Sequence, residues 1–161
     1  MTDVYIGLGS NMNSPVEQLH SAIKSLQKIP ATTLLQTSSF YRTRPVGLKD
    51  QPDYINAVAM LNTGLAARVV LEHLQAIEDS HGRIRNTRWG PRTLDLDLLL
   101  FGESIIHDDK LTVPHPEMHK RGFVLYPLHE ISADLVIPGY GPVEKFLHNL
   151  NADEVQKLPV L

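Results

Sequence analysis

The sequence predicts an α+β fold, and two observations carry that prediction. Short runs rich in β-forming residues alternate with two segments of helical period, in the order β-α-β-β-α-β. That order is the ferredoxin-like split βαβ arrangement, a sheet with two helices on one face. Residues 102–161 then hold only short, proline-broken pieces, which predicts a C-terminal extension of short helices and strands.

Each element follows from its residues. Val4 to Leu8 is a short apolar run that "GSN" breaks, a strand and its turn. Ser14 and Pro15 read as a helix cap and first helical residue. Val16, Leu19, Ile23 and Leu26 follow at helical spacing, and Pro30 closes the segment. Thr33 to Thr43 is predicted as a second strand, and "RPVGLKDQPD" as a loop. Tyr54 to Thr63 is the third strand. Leu65 to Ser80 is the second helix, with Val70, Leu74 and Ile77 as its inner stripe and Gly82 as its stop. Leu94 to Phe101 is the fourth strand. "TVPHPEMHKRGFVLYPLHEI" predicts short helices broken by Pro116 and Pro127, and a turn is expected at Pro138 to Pro142. No repeat, low-complexity tract or long linker divides the chain.

Composition narrows the function. The 161 residues suffice for one domain with a real core, and 42% hydrophobic with 20% charged is ordinary for a soluble protein. Cysteine is absent, so disulfides, thiolate metal sites and a cysteine nucleophile are excluded, and a cytoplasmic location is expected. "MTDVYIGLGS" lacks the pattern of a signal peptide, and no apolar run approaches a membrane span. A formal net charge of −3 argues against a general nucleic-acid binder.

The chemistry concentrates in "GPRTLDLDLLLFG", where Asp95 and Asp97 stand among leucines. An unpaired carboxylate in apolar surroundings is costly or shifts its pKa upward. On a strand, alternation puts Leu94, Leu96, Leu98 and Leu100 on one face, the expected core side. Thr93, Asp95, Asp97 and Leu99 then share the other, with the two aspartate Cα atoms roughly 6.5–7 Å apart. A cation makes such a pair favourable, and oxygen-only ligands point to a hard ion such as Mg²⁺. Spacing alone leaves open a solvated outer strand face. The flank tips the balance: Arg83, Arg85, Arg88 and Arg92 crowd "GRIRNTRWGPR" just upstream. Guanidinium groups grip phosphate oxygens in bidentate fashion, so arginine loop and carboxylate pair together suit a Mg²⁺–polyphosphate. "GLGSNM" fits neither standard glycine-rich phosphate motif and reads as strand and turn. His115 and His119 are spaced i, i+4 but lack the zinc-protease glutamate between them, so a catalytic zinc is not expected. "HDD" at 107–109 reads as a polar turn.

Taken together, "GSN", "SSFYRTRPVG", "QPDYINAVA", "LQAIEDSHGRIR", "RWGPRTLDLDLLLFG" and "LTVPHPEMHKRGFVLYPLHEI" resemble the 6-hydroxymethyl-7,8-dihydropterin pyrophosphokinase family of folate biosynthesis, from about residue 4 to about residue 138. The resemblance implies a single pyrophosphokinase domain over residues 1–161. It would move the β,γ-pyrophosphoryl group of ATP to 6-hydroxymethyl-7,8-dihydropterin and release AMP. It implies that Asp95 and Asp97 hold two Mg²⁺ ions arriving with ATP, and that these aspartates act with Arg83 and Arg92 in catalysis. The ATP site implied is Gln75, Glu78, Arg83, Arg85, Trp89, Arg92, Leu98, Lys110, Thr112, His115 and Arg121. The pterin site implied is Thr43, Pro45, Val46, Tyr54, Asn56, Asp95 and Phe123. Physics supports the latter: a flat heteroaromatic ring suits a sandwich between Tyr54 and Phe123, and Asn56 offers both a donor and an acceptor. Gln75 and Glu78, at i and i+3, share a helical face, which by itself reads as solvated. His115 is expected to donate to a phosphate. Lys110, where some relatives carry Arg, makes a point-charge contact rather than a fork. A monomer is expected, with small-molecule substrates and neither nucleic acid nor membrane as partner. The competing class is a non-catalytic ferredoxin-like RNA- or ligand-binding module, because "RGFVLY", Arg121 to Tyr126, partly imitates an RNA-binding signature.

Overall fold

The structure is a computed structural model that describes residues 1–12, 14–44, 52–81 and 94–159. Along the chain it runs β1 (Thr2–Ser10), α1 (Pro15–Leu26), β2 (Thr32–Thr37), β3 (Tyr41–Thr43), β4 (Tyr54–Thr63), α2 (Ala67–Ser80) and β5 (Asp95–Phe101). A hairpin of β6 (Ile106–His107) and β7 (Thr112–Val113) follows, then α3 (Gly122–Ile131). A second hairpin, β8 (Val136–Ile137) and β9 (Gly141–Pro142), leads into α4 (Val143–Leu147) and the last strand, β10 (Val155–Lys157). Among the described residues no helix is long and apolar enough to cross a membrane.

The mixed helix-and-sheet architecture expected from the sequence is present, built on an antiparallel sheet in the order β10-β3-β4-β1-β5, with β2 also on β4. Even-numbered β1 residues Val4, Ile6 and Leu8 face α1 and α2, where Leu19, Leu26, Leu74, Leu94, Leu96 and Leu98 complete one core. The odd-numbered Tyr5 faces a second core with Val58, Leu99, Leu100, Met118, Leu125 and Leu128. The sheet is therefore covered on both faces, the second by the C-terminal elements.

Four sequence expectations need correction. The leucine alternation in β5 does not run to its end. Ile6 pairs with Leu98 but Tyr5 with Leu100, so a bulge at Leu99 shifts the register and turns Leu100 into the second core. The predicted strand from Thr33 to Thr43 is two strands. Ser38 interrupts the ladder: its hydroxyl accepts the Val58 N–H at 2.9 Å while its own N–H donates to the Val58 carbonyl at 2.8 Å. Ser14 precedes α1 in the left-handed region (φ 61°) and makes no side-chain cap, so the helix start rests on Pro15 at its first turn. Pro127 does not break a helix; it is buried inside α3. Having no N–H, it leaves the Phe123 carbonyl without that helical hydrogen bond. The "HDD" turn is as expected: Asp108 Oδ1 accepts the N–H groups of Lys110 and Leu111 at 2.9 and 2.8 Å, closing the β6–β7 hairpin.

Candidate functional site

Where the C-terminal elements stop covering the second face of the sheet, a cleft of about 1080 Å³ opens. Its floor is the strand ends. Asp95 and Asp97 pair with Gly9 and Gly7 of β1, and those glycines pair in turn with Asn56 and Val58 of β4. Both aspartates line the cleft and are partly buried, one pleat apart on the face that alternation assigned them. Leu96 between them points into the other core, which fixes their direction. Two carboxylates on one strand, with bare glycine beside each, make a hard, oxygen-only donor pair at the cleft. That suits Mg²⁺, which takes one or two protein carboxylates and fills its octahedron with water and phosphate oxygens.

The other end of the cleft carries a carboxamide and two aromatic rings. Asn56 is 5% exposed, and its Nδ2 donates to Thr43 Oγ1 at 2.6 Å. A Cβ placed on Gly9 would stand 2.9 Å from Asn56 Oδ1, so the carboxamide lies across the glycine. Tyr54, opposite Thr43 in the β3–β4 register, and Phe123, at the start of α3, line the same cleft. Thr43, Tyr54, Asn56, Asp95 and Phe123 thus converge as a group. Pro45 and Val46 lie outside the described residues.

The residues assigned to the nucleotide are less uniformly placed. Arg121 lines the cleft with its guanidinium carbon 5.6 Å from the centre of the Phe123 ring. Arg83, Arg85, Trp89 and Arg92 lie outside the described residues, as does Gly82. Gln75 is exposed on α2, whereas Glu78 is only 4% exposed and accepts the Leu96 N–H at 2.8 Å. The solvated helix face expected for that pair therefore holds for Gln75 and not for Glu78. Neither lines the cleft, nor do Lys110 and Thr112 on the β6–β7 hairpin. Leu98 points its side chain into the core, leaving only its main chain to meet a ligand.

His115 donates its N–H to the Leu99 carbonyl at 2.9 Å, fixing it beside the outer edge of β5. Its Nδ1 accepts the Glu117 N–H at 3.2 Å, which puts the proton of the neutral ring on Nε2. Burial holds its pKa below the usual histidine value; Arg121 adds to that, while Asp97 and Glu117 pull the other way. His119 instead packs against Tyr140, with ring centroids 4.4 Å apart, and meets Phe146 edge-on at 5.6 Å, a structural contact. The Arg121 to Tyr126 segment begins α3 and contributes no sheet strand, so its likeness to an RNA-binding signature does not extend to structure.

The sequence did not announce several contributors to the cleft, among them Arg42, Arg44, Asp53 and Lys120. Gly7 and Gly9, read as strand and turn, form its floor. Their signal was the alternation of glycine with apolar residues inside β1. The C-terminal residues Leu150 to Gln156 supply a wall that no motif announced.

The sequence profile of the 7,8-dihydro-6-hydroxymethylpterin-pyrophosphokinase family matches residues 5–133. The chain belongs to this pyrophosphokinase family. A 2-amino-4-hydroxy-6-hydroxymethyldihydropteridine pyrophosphokinase of Haemophilus influenzae is 54% identical over 138 residues, 86% of each chain. One from Pseudomonas aeruginosa is 44% identical over 156 residues, 97% of this chain and 96% of that one. Among solved structures, a Plasmodium falciparum HPPK-DHPS superposes with a TM-score of 0.79 at 12% identity, a likeness in fold. It covers 99% of this chain and 49% of that chain, so this pyrophosphokinase-family chain spans about half the length of the solved protein.

Proposed function

We propose that this chain is an ATP-dependent diphosphotransferase that moves the pyrophosphoryl group of ATP to the hydroxymethyl oxygen of 6-hydroxymethyl-7,8-dihydropterin and releases AMP, a step in folate biosynthesis. Membership of the pyrophosphokinase family supports the reaction. The observation that carries the site assignment is the meeting, in one cleft, of the Asp95–Asp97 pair with the Asn56–Thr43 amide site and the Tyr54 and Phe123 rings. The strand order supports reading the frame as ferredoxin-like, one domain over residues 1–161, acting as a monomer, and the lack of cysteine fits a reducing, cytoplasmic compartment.

In this reading Tyr54 and Phe123 hold the pterin ring between their faces, and Asn56 reads its amide-like edge. One Nδ2 hydrogen is spent on Thr43, so Oδ1 and the second hydrogen remain for the ligand. Pro45 and Val46 complete this end. Asp95 and Asp97 would hold two Mg²⁺ ions brought by ATP, which when bound would neutralise phosphate charge. The pterin oxygen bonds to the β-phosphorus as the bond from that phosphorus to the α,β-bridging oxygen breaks, and AMP departs. Arg121, His115 and Lys110, with Arg83, Arg85 and Arg92 from the sequence between α2 and β5, take phosphate oxygens. Trp89 and the main chain of Leu98 complete the nucleotide side, while Gln75, Glu78 and Thr112, assigned to it by the resemblance, stand outside the cleft. Steady-state AMP formation from ATP, Mg²⁺ and 6-hydroxymethyl-7,8-dihydropterin tests the proposal. Turnover dependent on both substrates is expected, and a chain that forms no AMP would overturn it.

A further inference from the structure

The part of the chain beyond residue 133 lies outside the stretch that the family profile matches, yet it walls one side of the cleft. The point of contact is specific. β10 pairs antiparallel with β3, Val155 against Thr43, Gln156 against Arg42 and Lys157 against Tyr41. Beyond the strand, Leu158 donates its N–H to the Phe40 carbonyl at 2.8 Å. Hydrogen-bonded and non-bonded pairs alternate in an antiparallel ladder, so Gln156 and Arg42 form the bonded pair. Val155 and Thr43 form the close, non-bonded pair, with their side chains side by side on the cleft face.

β3 is only three residues long. Without β10 it would be an edge strand with Thr43 at its end, the place where strands open first. Thr43 Oγ1 is the acceptor that orients the Asn56 carboxamide. Several contacts latch β10 in place. Val155 packs against the start of α3, where a Cβ on Gly122 would stand 3.1 Å from Val155 Cγ2. Glu130, on the last turn of α3, accepts from the Tyr41 hydroxyl at 2.5 Å and from the Ser39 N–H and hydroxyl at 3.0 and 2.9 Å. The Lys157 ammonium stands 4.0 Å from the same carboxylate. One group on α3 therefore ties the root of β3 and the end of β10 together.

We infer that β10 is a positioning element for the pterin end of the cleft, holding Thr43 and through it the Asn56 carboxamide. The ligand named here rests on the function proposed above.

The test uses the full-length chain. Gln156→Pro removes the ladder donor, and Val155→Ala removes the flank of Thr43 while leaving the ladder intact. Calorimetry with 6-hydroxymethylpterin and, separately, with a non-hydrolysable Mg-ATP analogue gives two dissociation constants. Gln156→Pro is expected to weaken the pterin by about tenfold or more and the nucleotide by less than about twofold. Val155→Ala moves the pterin the same way by about threefold, and decides the matter if Gln156→Pro does not fold. The Asn56 side-chain amide resonances, in ligand-free protein, are expected to shift in both variants. An unchanged pterin constant, equal weakening of both ligands, or unmoved Asn56 resonances overturns the inference. If the unaltered chain binds no pterin, the functional reading fails, while the Asn56 resonances still judge the role of β10.

Discussion

Gly9 lies directly under the Asn56 carboxamide: a Cβ there would come within 2.9 Å of Oδ1, closer than side-chain carbons approach an oxygen. Asn56 is held on its other side by Thr43 at 2.6 Å. The added methyl in Gly9→Ala therefore has to turn the amide off Thr43 or bend the strand. We expect pterin binding to weaken by about tenfold or more, with nucleotide binding changed far less. Calorimetry on the two ligands checks this. Retention of full pterin affinity would show that the amide orientation is not what the ligand reads.

Asp97→Asn keeps the shape of the side chain and removes its charge. Asp97 is partly exposed at the cleft, on a strand whose leucines carry the packing. Turnover should fall by about two to three orders of magnitude while the melting temperature changes little. Initial rates at saturating ATP and Mg²⁺, with a thermal melt on the same sample, separate the two effects.

Phe123→Ala removes one face of the proposed ring sandwich. Pterin affinity should drop by about ten- to a hundredfold. The loss for ATP should be smaller, although Arg121 packs near the same ring. Comparable losses for the two ligands would place Phe123 in general packing instead.

Glu130 ties stability to acid. Burial pushes its carboxyl up, but hydrogen bonds from Tyr41 and Ser39, with Lys157 nearby, more than offset this and leave the pKa below the usual glutamate value. A carboxyl whose folded pKa is depressed adds stability above its unfolded pKa, and that stability is lost as pH falls through the folded value. Glu130→Gln should therefore melt at a lower temperature than the unaltered chain at pH 7. The gap should narrow below about pH 4 as the unaltered carboxyl also takes up its proton. Melting curves across pH 2 to 7 test this; a gap independent of pH would refute it.

Much of the site was legible because strand alternation is a local rule. It placed Asp95 and Asp97 together on one face and Leu94, Leu96 and Leu98 on the other, and the structure agrees. It failed at Leu100, because the bulge that turns that residue over depends on how Tyr5 and Ile6 pair across the sheet. The split at Ser38 was hidden for a similar reason: a serine hydroxyl substituting in the ladder looks, in sequence, like any other strand serine. Glu78 shared a helical face with Gln75 by spacing, but spacing does not show the Leu96 N–H of the neighbouring strand, which helps make burying its carboxylate tolerable. The C-terminal wall was illegible because three residues of β10 carry no pattern until β3 is there to pair with.

The sheet order has a consequence for how rigid each half of the cleft is. β1 lies between β4 and β5 over most of its length, whereas β3 is held on its outer side only by the short β10. Amide protons of β1 should be among the last to exchange with deuterium, and those of β3 and β10 among the first of the sheet. The glycine floor of the cleft, Gly7 and Gly9 on β1, would then be fully formed before any ligand arrives, while the ring-binding end is still breathing and gains order from its guest.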